Sequence, residues 1–218
     1  MLLEMNSVKK SFRDSDGELP VLKDVNLSLA TGESIALTGE SGSGKSTLLN
    51  IAAGLETADN GTVIIDGQEI NSVKEVERAR FRRQELAIIF QQFNLIPSMT
   101  VADNIAFHAR LANRYDPELA SQMTAQMGLA DHVKKYPETL SSGQQQRVAI
   151  LRALVGKPRL LLADEPTGNL DEATADQVMR QVLDLTGEIE AGFLIVTHSA
   201  KVAAMMGRQV HLENGVLK

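Results

Sequence analysis

The chain has 218 residues, 43% of them hydrophobic, a net charge of −6 and no cysteine. That length and apolar content suit one globular unit with a sizeable core. The acidic balance argues against bulk nucleic-acid binding, and without cysteine neither a disulfide framework nor a thiolate metal site can form. No apolar run reaches the ~20 residues that span a bilayer, and the N-terminus has no signal-peptide layout, so any membrane role is expected to come through a partner.

In chain order, residues 2–12 alternate loosely between apolar and polar and predict an edge strand, with a polar turn at 13–18. Residues 21–29 predict a strand with one wet face. Ile35-Ala36-Leu37 reads as a short buried strand, and residues 47–52 have an apolar helical face. Between them lies Gly39-Glu40-Ser41-Gly42-Ser43-Gly44-Lys45-Ser46, which fits the phosphate-binding loop pattern G-x-x-x-x-G-K-[ST]. Glycines there can turn successive backbone N–H groups into one concavity, and the following helix adds its first N–H groups and the positive end of its dipole. Residues Gly39 to Ser46, with Thr47, are therefore expected to bind phosphates. Lys45 would reach the β- and γ-phosphates, and Ser46 would place its hydroxyl on Mg²⁺.

Further on, residues 61–67 predict a strand bounded by turn residues. Residues 73–83 predict a helix whose basic end carries Arg78, Arg80, Arg82 and Arg83, and 86–90 predict a buried strand. Residues 101–112 and 118–127 have helical composition, with Pro117 suited to an early helix position. Strand signals are absent from about 95 to 155, which predicts an inserted helical subdomain. Residues 140–147 are a polar start to the apolar-periodic helix 148–155; taken alone this is an N-cap or an anion site. A buried strand at 159–164, an amphipathic helix at 172–185 and a buried strand at 192–197 follow. The chain closes on a hairpin at 209–218 turning at Asn214-Gly215.

Strands alternating with helices predict an α/β fold with its ligand at the strand C-terminal edge. Gly39, Gln91, Asp164 and His198 each come at the end of an apolar strand. In a phosphate-loop protein Asp164 can hold Mg²⁺ through its water shell, and Glu165 can accept the proton of an attacking water. Pro166 and the loop at 167–171 weaken the reading of this pair as a helix cap.

Together, and in this order, residues 39–46, Gln91, 140–147, 160–165, 168–171 and His198 resemble an ATP-binding-cassette (ABC) ATPase over essentially the whole chain. Gln91 resembles the Q-loop glutamine, Leu140-Ser141-Ser142-Gly143-Gln144 the LSGGQ signature, residues 168–171 the D-loop and His198 the switch histidine. The resemblance implies a single domain over 1–218. Its core, of P-loop NTPase type with a mostly parallel sheet, would span about 1–94 and 156–218, with an N-terminal antiparallel β part and a helical subdomain at about 95–155. It implies ATP and Mg²⁺ as ligands, Ser46, Gln91 and Asp164 toward the metal, and catalysis by Lys45, Gln91, Glu165 and His198. Phe12 lies where many members carry an aromatic that stacks on adenine; a gap-filling role at a sheet edge stays equally open.

The resemblance also implies that two copies stack head to tail around two ATP molecules. Ser141, Gly143 and Gln144 of one chain would then meet the γ-phosphate held by the other. Ser142 stands where the signature has its first glycine; if that position needs φ > 0, the side chain costs about 1–3 kcal/mol. Residues 90–105 and 163–171 resemble the group containing lipoprotein-release and macrolide-export ATPases. This implies an energising subunit for integral membrane permease subunits, on the cytoplasmic side of the inner membrane, with residues 94–97 near a permease coupling helix. A cell-division ATPase that signals without transport, or an importer ATPase, stays open as an alternative.

Overall fold

In the computed structural model, which describes residues 1–14 and 17–218, the elements are β1 (Leu3–Asp14), β2 (Gly17–Leu29), β3 (Ser34–Thr38), α1 (Lys45–Ala52), β4 (Asn60–Ile65), β5 (Gln68–Glu69), α2 (Glu75–Glu85), β6 (Leu86–Ile89), α3 (Val101–Leu111), α4 (Pro117–Gln126), α5 (Ser142–Leu154), β7 (Leu160–Asp164), α6 (Glu172–Glu188), β8 (Gly192–Val196), α7 (Ala200–Ala204), β9 (Arg208–Glu213) and β10 (Val216–Leu217). The expected α/β class holds. The chain divides into two compact units, Met1–Arg82 with Gly192–Lys218, and Arg83–Ala191. Among the described residues no helix is long and apolar enough to cross a membrane.

The first unit carries an antiparallel sheet in the order β2-β1-β4-β5. β1 is therefore interior, which corrects the expectation of an edge strand at 2–12. Its alternation is loose because the strand bulges: Ser7 has φ 50°, and the register shifts between Met5 and Val8. The edge position belongs to β2, which accommodates Pro20, a residue that an interior strand tolerates poorly. Of the expected polar turn, Ser15 and Asp16 lie outside the described residues. Arg13 and Asp14 pair as strand with Glu18 and Gly17.

The same unit contains the strand that leads to the phosphate loop. β3 lies parallel to both β8 and β9, and all residues of β8 are buried, as suits a strand covered on both faces. β9 and β10 form the hairpin read from the sequence, with Asn214 at φ 51° and Gly215 at φ 80°. The helix expected at 73–83 runs two residues later, and its basic run is partly ion-paired: Arg78 and Arg82 both reach Glu75.

In the second unit β6 and β7 pair in parallel. The apolar run Leu160-Leu161-Leu162-Ala163 is fully buried, so the chain emerges toward water only at Asp164. Residues 90–159 hold helices and loops without a strand. Fully buried Asn104 on α3 organises the loop before it: its Nδ2 donates to the carbonyls of Ile96, Met99 and Thr100, and its Oδ1 accepts from Ile96 N–H.

Candidate functional site

In the first unit the chain leaves β3 at Thr38 and turns through residues 39–44 into α1. Gly39 has φ 147°, and a Cβ there would lie 2.3 Å from the Leu212 carbonyl oxygen. Gly44, the N-cap of α1, has φ 104°, and its Cβ would lie 2.9 Å from Val21 Cγ1. The loop is thus confined by the C-terminal hairpin and by β2, and only glycine fits at these two points.

The N-terminus of α1 has no side-chain cap. By contrast α3, α4, α5 and α6 are capped by the side chains of Thr100, Asp116, Ser141 and Asp171. A helix start left to its backbone N–H groups, with the dipole behind it, favours an anion. Lys45 is buried, and its Nζ donates to the carbonyls of Gly39 at 2.9 Å and Glu40 at 2.7 Å, arching the ammonium over the loop. Ser46 beside it is exposed and Thr47 half-buried. Backbone donors, one cation and hydroxyls in a cradle with no room for a Cβ at Gly39 fit the phosphates of a nucleotide.

A cavity of about 300 Å³ beside the loop is lined by Leu19, Pro20, Val21 and residues 40–43, among others. Phe12 pairs with Leu19 across the β1–β2 ladder and is 41% exposed. His198 follows β8 and is exposed, just ahead of α7.

The second unit brings another set together. Asp164 closes β7, half-buried, and Glu165 follows at φ 48°, in the left-handed region that residues with a Cβ enter at a cost. The Glu165 carbonyl accepts from Gly168 N–H at 3.0 Å. A Cβ on Gly168 would lie 3.4 Å from Gln91 Nε2 and 3.6 Å from Glu165 Cβ, so Gln91, Glu165 and Gly168 form one cluster. Asn169 Nδ2 donates to the Gln91 carbonyl at 2.9 Å. Asp171 accepts from Thr174 N–H as the cap of α6, and bonds from Thr174 hold its carboxyl below the usual range.

At the start of α5, Ser141 and Gln144 form a reciprocal capping box: Gln144 N–H donates to Ser141 Oγ at 3.3 Å and Ser141 N–H to Gln144 Oε1 at 3.0 Å. Gln144 Nε2 lies 2.9 Å from His132 Nε2, so the amide of Gln144 is engaged at both ends. Ser142 is the first residue of α5 and has no positive φ, so the strain left open for a side chain at this position does not arise. Gly143 has less room, with Thr174 Cγ2 3.2 Å from where its Cβ would be.

Two supporting residues, Arg152 and His132, escaped the sequence reading. Arg152, near the end of α5, is buried and donates to the carbonyls of Phe93 at 2.8 Å and Asn94 at 2.6 Å, fixing the chain just after Gln91. A charged residue on the buried face of an apolar-periodic helix was the available signal. His132 offered none, because its partner lies 12 positions away. Asn169 was read as part of the loop at 168–171, but its bond to Gln91, 78 positions away, was not readable.

The chain matches the family described as ABC transporter over residues 22–168. It is 40% identical to the lipoprotein-releasing system ATP-binding protein LolD of Shewanella denitrificans, covering 99% of this chain and 94% of that protein. It is 38% identical to the macrolide export ATP-binding/permease protein MacB of Syntrophobacter fumaroxidans, covering 100% of this chain and 31% of that protein. The structure is similar to the dimeric structure of MJ0796, a bacterial ABC transporter cassette. The TM-score is 0.90 at 34% identity, covering 99% of this chain and 96% of that one, and a post-hydrolysis state of MJ0796 bound to ADP and Pi matches equally well. The phosphate loop, the clustered glutamine and glutamate and the full-length similarity agree: the chain belongs to the ABC transporter family, as an ATP-binding, ATP-hydrolysing cassette.

Proposed function

We propose that this cassette is the ATPase subunit of a bacterial ABC export or mechanotransmission complex, a head-to-tail dimer that binds two ATP and drives a separate membrane permease. The observation that carries the hydrolytic role is Glu165, held left-handed at the end of a buried strand and clustered with Gln91 and Gly168. Such a conformation persists where the surroundings over-determine it, and it is common at functional positions.

In this reading residues 39–47 hold the phosphates, and Lys45 exchanges loop carbonyls for phosphate oxygens. Ser46, Gln91 and Asp164 would hold Mg²⁺, which neutralises phosphate charge when bound. Glu165 accepts the proton of the water that attacks the γ-phosphorus, and His198 orients the reacting groups. Ser141, Gly143 and Gln144 of the second copy complete the site. Ser141 Oγ accepts from Gln144 N–H, yet a hydroxyl also donates, so its own hydrogen is left for a phosphate oxygen.

The full-length likeness to the ATP-binding protein of a lipoprotein-releasing system supports a permease partner, and with it a place on the cytoplasmic side of the inner membrane. The segment at about 95–155 is the proposed docking part, and about 1–94 with 156–218 the proposed core. A cavity of about 380 Å³ there is lined by Met99, Phe107, Leu111 and Tyr136, with Leu111 53% and Tyr136 46% exposed.

Glu165→Gln tests the catalytic assignment. ATP binding should persist while turnover falls about 10²–10⁴-fold, the usual cost of losing a general base; near-parental turnover removes Glu165 from the role. Mixing Glu165→Gln with Gly143→Asp tests the dimer, because a head-to-tail hybrid has one site with neither lesion. Crosslinked hybrids should exceed either mutant alone, with parent–mutant mixtures measured alongside to detect silencing between sites. Hybrids that form, remain inactive and are not silenced in those mixtures overturn the arrangement.

A further inference from the structure

Beside Phe12 the first unit holds a buried charge that the phosphate loop does not use. Lys10 and Phe12 are two residues apart on β1, a spacing that puts side chains on one face of a strand. Lys10 is buried, and its Nζ donates to the Thr57 carbonyl at 2.9 Å and pairs with Glu56 at 2.8 Å and Asp59 at 3.3 Å. Asp59 also accepts from Ser11 N–H at 2.7 Å, and its own N–H donates to the Lys9 carbonyl at 2.9 Å. Held this way, the ammonium lies over the Phe12 ring, 5.2 Å from its centroid. Burial works against the charge, but the hydrogen bonds and charges of Glu56 and Asp59 outweigh it and raise the lysine pKa. Lys10 therefore stays an ammonium at neutral pH.

A cation over an aromatic face is attracted by its electron density and draws that density toward itself. The opposite face becomes a better surface for a flat, electron-rich base. A ring already fixed by its neighbour also loses less side-chain freedom when a ligand stacks on it. We propose that Lys10, anchored by Glu56, Thr57 and Asp59, is a positioning residue for the nucleotide base, locking and polarising Phe12 as a stacking platform. This rests on the reading that Phe12 stacks on the base of ATP. A plain structural tie between β1 and residues 56–59 is the competing account.

Titrating the full chain with Mg-ATP and with tripolyphosphate, which has phosphates but no base, separates the two. Lys10→Met should weaken ATP about 3- to 10-fold and leave tripolyphosphate affinity within about twofold. Lys10→Arg should restore ATP affinity, and Lys10→Met should add nothing in a Phe12→Ala background. Because Lys10→Met leaves Glu56 and Asp59 unbalanced, the same pattern is expected when it is combined with Glu56→Gln and Asp59→Asn, with melting curves recorded for each variant. If Phe12→Ala leaves ATP affinity intact, the stacking reading falls and this inference falls with it. If Phe12→Ala weakens ATP but Lys10→Met does not, or weakens both ligands alike, Lys10 is only a tie and the proposal is overturned.

Discussion

Two helix N-termini in this cassette are read as phosphate sites, and they are built in opposite ways. α1 begins at a glycine with no side-chain cap, so its first N–H groups and dipole remain for a ligand. α5 begins at a closed capping box, in which Ser141 and Gln144 satisfy one another and Gln144 also meets His132. The first start leaves its N–H groups without a side-chain partner, the arrangement that favours an anion; the second is complete by itself and offers outward chiefly the Ser141 hydroxyl. This difference suits a loop that holds its own nucleotide and a surface that meets a nucleotide held elsewhere. It also divides the glycines: Gly39 and Gly44 are required by backbone conformation and crowding, whereas the first signature position accepts Ser142 without strain.

The largest way to break this contrast is Gly39→Ala. Its Cβ would fall well inside contact distance of the Leu212 carbonyl in a backbone region closed to L-residues. We expect a loss of about 3 kcal/mol or more in a urea titration, with nucleotide binding abolished. Parental affinity would show that the cradle is not confined as described. Lys45→Ala comes next: about 10- to 100-fold weaker ATP by calorimetry, since hydrogen bonds to a charged group contribute about 1.5–3 kcal/mol each. Its melting temperature should stay close to the parent's, because the lost bonds go to carbonyls of half-buried Gly39 and exposed Glu40.

Ser141→Ala acts on the other helix start. Loss of the cap should cost about 1 kcal/mol by thermal melting, and hydrolysis should fall while monomeric ATP affinity does not. A fall in affinity of the isolated chain would mean that α5 contributes to its own nucleotide rather than to a partner's. Ser142→Gly should be the smallest change, about 0.5 kcal/mol or less in stability with turnover within about twofold. A large gain in turnover would show strain that the helical φ of Ser142 gives no reason to expect.

The phosphate loop was legible because its recognition is local: backbone N–H groups, glycines and one lysine at fixed spacing, directly between a buried strand and a helix. The ends of β3, β6, β7 and β8 were legible for a similar reason. Short apolar runs end sharply in polar residues, and that places Gly39, Gln91, Asp164 and His198 at strand ends without knowledge of what lies beside them. The Asn214-Gly215 turn was readable because few residues besides Asn, Asp and Gly adopt positive φ twice in succession.

Only the tertiary structure decided the rest. Whether β1 is an edge or an interior strand depends on which strands find it, and the bulge at Ser7 blurs the alternation from which position is read. The left-handed Glu165, the Arg152 grip on the Phe93 and Asn94 carbonyls, and the Lys10 charge held by Glu56 and Asp59 all pair residues brought together by packing. The sequence by itself determined the backbone-built chemistry, because glycine freedom and helix polarity are properties of consecutive residues. The tertiary structure decided which side chains grip the loops at the strand ends and which buried charges are paired, because a buried charge or a strained dihedral is stable only when distant segments satisfy it.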